Sequence, residues 1–563
     1  PISGPEKQIL SSIRYVPAPP IQTVRLPQAP WHRSPVLFMV NETPPATTSG
    51  TMSDGQSQRS ISLLGATRIG VGAIVGGGIL VLAGPAFVAT GPSTILAFAL
   101  NGILAFMTAM SFAEMATAYP RSGGAYTFGR RVLSVRAAFG TGWVLWLAYL
   151  VAGVLYGLGF GVYAARLAVV AFESLGFVPP EWLTGHGGAV ALALLAIIGY
   201  TLSLIRQATG GGDVSAWGKV VVLGILVLAG LWMLITSESG TISRTMLPFA
   251  PNGTIGFLSA MGLSFIALQG FDLVATVASE VEDPQQNIPK AMFYALGTAL
   301  AIYLPLLAVV ACVGLGDSLN ISALAARDPD TLMATAVGNF MGPVGTWLVL
   351  IAAVLATLSA LNANLLAASR VAHTMALDRT LPWILGVTDE KRGTPVMALY
   401  SSALAMGALL FMVPDLSTAG SAASLIFLVS FALTHLTAYL ARKRSVSANE
   451  NAYQSPWFPF VPIAGGIACT ALAVFQMVAQ PNAGGIALVW LGLGVVLYRA
   501  LFSSRAEVVD AAAEAGDTEM VRLRGRSPLM LVPVHNPQNA ASLVQLANVL
   551  TPPGVGKVLL LGV

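Results

Sequence analysis

Apolar runs of about 20 residues, the length at which a helix crosses the hydrocarbon core of a bilayer, recur along most of this chain. They fall at about 63–89, 93–118, 137–166, 188–206, 214–236, 255–281, 290–315, 333–376, 395–413, 418–441, 458–479 and 484–503. None alternates with the period of two that a membrane barrel strand requires, so the expectation is an all-α membrane protein of 12 transmembrane helices. Composition agrees: 55% of residues are hydrophobic and 10% are charged, against about 25% charged in soluble domains. The eighth run exceeds one crossing, and its first turns are expected outside the hydrocarbon.

Charge sets the expected orientation. Arg130, Arg131, Arg136, Lys391, Arg392, Arg442, Lys443 and Arg444 crowd the loops of one side, whereas the loops of the other carry Arg166, Arg244 and Arg327. The positive-inside bias then places both termini in the cytoplasm of a multi-pass protein of the cell membrane. The net charge of +4 sits in those loops and not in a nucleic-acid-binding patch. Cys312 and Cys469 each lie alone in an apolar run and read as small core residues, with no metal or redox role.

Outside the membrane the chain divides simply. Residues 1–58, rich in Pro, Ser and Thr, read as a disordered leader, and Met52 suggests a start codon after residue 51. Residues 59–505 form the transmembrane domain and 506–526 a charged linker. Residues 527–563 then read strand, helix, strand, from Pro528-Leu-Met-Leu-Val-Pro-Val534 to Lys557-Val-Leu-Leu-Leu-Gly-Val563. That is the opening of a small cytoplasmic α/β domain, expected to be truncated because one such unit cannot cover its sheet.

Two glycine-marked interruptions carry the functional reading. Gly76, Gly77 and Gly78 stand in the middle of the first run, where they would cost a continuous helix about 2 to 3 kcal/mol relative to alanine. Unwound backbone is tolerated at membrane depth only where it lines a polar cavity, so the amides around Ile74, Val75, Gly76, Gly77, Gly78 and Ile79 become candidates to hold a substrate carboxylate. Close helix packing through small residues is the alternative. The sixth run repeats the feature in Ser264-Phe-Ile-Ala-Leu-Gln-Gly-Phe-Asp272, which nominates Phe265, Ile266, Ala267, Gln269, Gly270 and Asp272. Matched breaks in two halves are the pattern of inverted-repeat transporters with a midplane site.

The same residues resemble a family. Gly72-Ala-Ile-Val-Gly-Gly-Gly-Ile-Leu-Val-Leu-Ala-Gly84, Tyr119-Pro-Arg-Ser-Gly-Gly-Ala-Tyr126, Gly270-Phe-Asp-Leu-Val-Ala-Thr276 with Glu280-Val-Glu-Asp-Pro-Gln-Gln-Asn-Ile-Pro289, and Leu361-Asn-Ala-Asn with Ser369-Arg370 resemble the amino acid–polyamine–organocation (APC) permeases. The likeness spans about 60–500 and is strongest to the cationic amino acid transporter branch. That branch has Gly-Thr-Gly where this chain has Gly76-Gly-Gly78, and Asn-Pro where it has Asp283-Pro284. The resemblance implies a five-plus-five inverted repeat with broken helices 1 and 6. It also implies that Lys219, in the fifth run, stands where proton-linked relatives carry a coupling lysine. Residues 529–537 resemble the start of a universal stress protein domain, with Asn536 in place of the acidic nucleotide-binding residue.

Among the charged residues, Lys219 either faces a cavity or snorkels to the interface. Glu114 and Asp272 are candidates to take a proton or a substrate ammonium. Glu280, Glu282 and Asp283 suggest a gate loop, Asn362 and Asn364 a helix contact or a site, and Trp143, Trp146 and Tyr149 a lid or an interface belt. The expected function is secondary active, proton-coupled transport of an L-amino acid by alternating access, with no cofactor. Alternatives are a cation–chloride-type cotransporter of the same superfamily and a non-transporting amino-acid sensor. An enzyme is not expected, since HExxH and GxSxG motifs are missing.

Overall fold

The computed structural model describes residues 59–75, 77–120, 123–206, 215–237, 244–389, 394–444 and 452–503. In the carboxyl-terminal tail it describes 506–507, 510, 524, 529–534, 542–543 and 557–562. The expected leader, residues 1–58, and Gly76 lie outside the described residues.

The first run forms two helices, α1 (Leu63–Ile74) and α2 (Gly77–Thr90), and α1 opens where the Ser62 side chain accepts from the Gly65 amide. Then come α3 (Thr94–Ala118), a short amphipathic α4 (Ala125–Val132), α5 (Val135–Ser174), α6 (His186–Arg206) and α7 (Ser215–Thr236). The sixth run gives α8 (Gly253–Ser264), a tight 3-10 turn over Phe265–Leu268, and α9 (Asp272–Thr276). Beyond it run α10 (Pro284–Val313), α11 (Ile321–Arg327), α12 (Leu332–Leu377), α13 (Val396–Met412), α14 (Leu416–Arg444), α15 (Phe460–Ala479) and α16 (Pro481–Leu497).

The long helices among them are apolar all round, as lipid or a protein core demands, whereas α4 carries Arg130 and Arg131 in its last turn. Among the described residues nine helical stretches are long and apolar enough to cross a membrane, and Gly253–Leu268 and Val396–Met412 are apolar but shorter. The first of the nine, Leu63–Ala118, holds two of the runs read from the sequence. The long eighth run has a physical explanation: α12 bends at Gly342, whose φ of 67° and ψ of −159° leave the helical region just before Pro343.

The core is built from a few extensive helix pairings. α12 packs along α5, α10 along α3, and the two broken segments against each other through α2 and α8. Phe112 of α3 locks this centre, with its ring edge-on to Phe271 at 5.9 Å and to Phe431 at 5.4 Å. α7 sits at the periphery with Val221, Leu228 and Trp232 exposed, a face suited to lipid.

At one end of the bundle, the segment before α1 pairs with the segment after α9. The Ser60 and Ile61 amides both donate to the Glu280 carbonyl at 3.0 Å, and the Glu282 amide donates to the Ile61 carbonyl at 2.9 Å. Asp283 closes the turn in the left-handed region, with φ 41°, ahead of α10. In the tail, β1 (Leu529–Val534) and β2 (Lys557–Gly562) run parallel, with Leu529 opposite Lys557 and Val534 opposite Gly562. Apart from 542–543, the expected crossover helix lies outside the described residues.

Candidate functional site

A helix that stops in mid-membrane leaves its last carbonyls and the next helix's first amides without intrahelical partners. At the end of α1, Val75 turns extended, with φ −72° and ψ 122°, while its own amide still donates to the Val71 carbonyl. The carbonyls released there are taken by side chains. The Lys219 ammonium donates to Gly72 O at 2.8 Å and to Ser359 Oγ at 3.0 Å, and the Tyr303 hydroxyl donates to Ile74 O at 2.6 Å. Lys219, Tyr303, Gly72 and Ile74 are buried, and Ser359 is partly so. Across the gap α2 presents the amide end of its dipole, the end that attracts an anion.

The second break is held in the same way. The Ser424 hydroxyl accepts from the Ile266 amide at 3.0 Å and donates to the Leu263 carbonyl at 2.9 Å, while Asn101 Nδ2 donates to Met261 O at 2.9 Å. Gln269 is extended, and Gly270 adopts a φ of 136°, open only to glycine without strain. Asp272 then gathers three donors: Tyr149 Oη at 2.6 Å on Oδ2, and Gln269 Nε2 at 2.9 Å and the Gly270 amide at 3.0 Å on Oδ1. A carboxylate buried to 1% exposure is sustained only by such a set.

The two breaks meet. A Cβ on Gly270 would stand 2.9 Å from the Ile74 amide nitrogen and 2.8 Å from the Ala73 methyl, and one on Gly78 would overlap the Ala267 backbone. Ile74, Val75, Gly77, Gly78 and Ile79 therefore share one buried centre with Phe265, Ile266, Ala267, Gln269, Gly270 and Asp272. Lys219 joins its edge through Gly72.

Glu114 does not join it. Its Oε2 accepts from the Ser455 amide at 3.0 Å and faces Arg442 Nη1 at 3.6 Å, tying α3 to the segment between α14 and α15. Two of the proposed lid aromatics are likewise engaged elsewhere. Trp143 and Trp490 stack at 4.7 Å and each donates to the other's carbonyl, clasping α5 to α16, while Trp146 donates to Ser402 on α13. Asn364 Nδ2 returns to the Ala360 carbonyl of its own helix at 2.8 Å.

Sequence reasoning missed Tyr156, Tyr303, Ser359 and Ser424. The first had a signal: Tyr149, Tyr156 and Tyr163 recur every seven residues and so share one face of α5. All three are buried against the broken helices. Tyr149 holds Asp272, Tyr163 donates to Leu80 O at 2.6 Å, and the Tyr156 ring lies against Gly77 with its hydroxyl lacking a hydrogen-bond partner among the described residues. Tyr303 and Ser424 lie far along the chain from the breaks they satisfy, Ser359 lies far from the Lys219 ammonium it accepts from, and no local pattern marks them.

The family profile described as amino acid permease matches residues 65–501. The inner membrane transport protein YbaT of Escherichia coli (strain K12) is 32% identical over 363 residues, which cover 62% of this chain and 79% of that protein. The branched-chain amino acid permease BcaP of Bacillus subtilis (strain 168) is 28% identical over 470 residues, 80% of this chain and 94% of the relative. The vacuolar cationic amino acid transporter 2 of Arabidopsis thaliana is 28% identical over 407 residues, 70% and 62% of the two chains.

Proposed function

The chain belongs to the amino acid permease family, a class of transporters and not of enzymes, and from that premise we propose that it moves an L-amino acid across the cell membrane by proton-coupled alternating access. The observation that carries the reading is the meeting of the two helix breaks at Gly270 and Ile74. In this reading the first-turn amides of α2 hold the substrate carboxylate. The carbonyls of the Phe265–Gly270 turn hold its ammonium, and the Tyr156 hydroxyl supplies one further hydrogen bond.

Lys219 is the coupling group in this account. An ammonium that donates to Gly72 ties α7 to the end of α1, and loss of its proton weakens that tie, so proton binding and the tilt of α1 are linked through one bond. Glu114 serves as a tether of the segment around Ser455, outside the coupling path. Twelve crossings, a five-plus-five inverted repeat, cytoplasmic termini and a tail that opens a stress-protein-like α/β domain complete the proposal.

The test is uptake of radiolabelled amino acids into proteoliposomes with and without an inward proton gradient, with leucine and arginine as competitors. Gradient-stimulated uptake supports the proposal. Saturable binding without uptake would instead identify a sensor, and chloride-dependent cation flux a cotransporter of another kind.

A further inference from the structure

A cavity of about 960 Å³ opens between α5, α14 and α16, away from the two helix breaks. Its lining is divided by depth. At the end of the bundle where α5 begins and α16 finishes, it is bounded by Arg136, Arg499, Ser503 and Glu507. Eight residues further along α5 it ends at Val144, roughly 12 Å deeper at the helical rise, facing Val429 and Leu491. One wall is aromatic, with Phe139 centred 4.7 Å from Tyr498 and 5.6 Å from Trp143. Leu436, which lines the opposite side, is half exposed on the lipid-facing surface.

Among the described residues the charges lining the mouth do not cancel. Arg136 and Glu507 form an exposed pair at 2.7 Å, and Arg499 adds a second, exposed guanidinium. Arg499 sits on a π-helical turn, Tyr498–Phe502, an irregularity that often accompanies functional sites. The turn keeps Tyr498 buried against the cavity while Arg499 remains exposed at the mouth.

An apolar slot that begins in the hydrocarbon and ends at a net positive, water-level mouth has the shape and charge of one molecule class. We propose that it is a binding site for an anionic phospholipid, with the phosphodiester on Arg499 and Arg136 and an acyl chain along Phe139, Val144 and Leu491. A zwitterionic head group brings a cation of its own to the same arginines and gains less. Arg136 is shared with Glu507, so lipid and carboxylate compete for it, and occupancy is linked to the seating of the tail that carries Glu507.

The test uses the delipidated full-length protein and native mass spectrometry, titrating dioleoyl phosphatidylglycerol against dioleoyl phosphatidylcholine. The wild type is expected to prefer the anionic lipid about fivefold, the weight of one net cation near a bilayer surface. The double variant Arg136→Gln, Arg499→Gln is expected to lose that preference, and Glu507→Gln to strengthen it. Gly140→Leu provides a separate arm, because a Cβ at Gly140 meets nothing within 4 Å and its branches enter the slot. It is expected to weaken both lipids equally. A preference unmoved by the arginine and Glu507 variants, or lipid binding untouched by Gly140→Leu, would overturn the proposal.

Discussion

The Lys219 ammonium donates to the Gly72 carbonyl at 2.8 Å, so a side chain of α7 completes the hydrogen bonding of a helix that ends inside the membrane. Both groups are buried, and the same ammonium reaches Ser359 of α12. Lys219→Met keeps the length of the stem and removes the donor. Uptake driven by a proton gradient is expected to fall to the level seen without a gradient, while exchange of internal for external amino acid continues. Gradient-driven uptake equal to wild type would remove Lys219 from the coupling step.

Gly270→Ala tests the meeting of the two breaks. The added methyl must enter a positive-φ conformation and press on Ile74 and Ala73, a strain of about 1 to 3 kcal/mol. A melting temperature lowered by several degrees and loss of uptake are expected in detergent and in proteoliposomes respectively. Gly297→Ala is the matched control, since a Cβ there meets nothing within 4 Å, and it is expected to behave as wild type.

Asp272→Asn retains the size of the side chain but leaves one oxygen to serve the donors of Tyr149, Gln269 and Gly270. An unpaired buried donor costs about 1 to 3 kcal/mol. Uptake is expected to drop roughly tenfold or more on that scale, with Tyr149→Phe giving the milder loss. Initial rates over a substrate series measure both.

Glu114→Gln separates tethering from coupling. The carboxylate holds the Ser455 amide and faces Arg442. The variant is expected to melt a few degrees lower and to keep its full response to a proton gradient. A flattened pH dependence of uptake would restore Glu114 to the coupling path.

Asp330, in the loop between α11 and α12, gives a pH effect of known sign. Burial is the main cause that raises its pKa above the usual carboxylate value, the nearby Asp328 and Asp415 add to it, and His186 partly offsets them. A raised folded-state pKa means the protonated form is favoured by folding, so its stabilising effect is present in acid and lost as pH rises past that value. Asp330→Asn is therefore expected to raise the melting temperature near neutral pH, with the difference closing as pH falls toward 4. Thermal melts at a series of pH values provide the check.

Much of this was legible because lipid enforces one rule on the backbone. Glycines where a span cannot afford them marked Gly76-Gly-Gly78 and Gly270, and of these Gly77, Gly78 and Gly270 lie where the two interrupted segments touch. What the sequence hid is which side chains satisfy those ends. Tyr303 reaches Ile74 across 229 positions and Ser424 reaches Ile266 across 158, distances over which no spacing rule operates. The partner of Glu114 was hidden for the same reason: the Ser455 amide lies 341 positions away. The bend at Gly342 accounts for a run too long for one crossing, which the sequence explained by first turns outside the hydrocarbon.

The short parallel bridge between Ile61 and Val281 couples the lead-in of α1 to the exit of α9. Two helices that were each cut in the middle are thereby handcuffed at one rim, so neither half can swing without dragging the other. In the proposed alternating-access cycle, opening on that face would be the movement of a single flap, and severing three backbone hydrogen bonds would turn it into two loose ones.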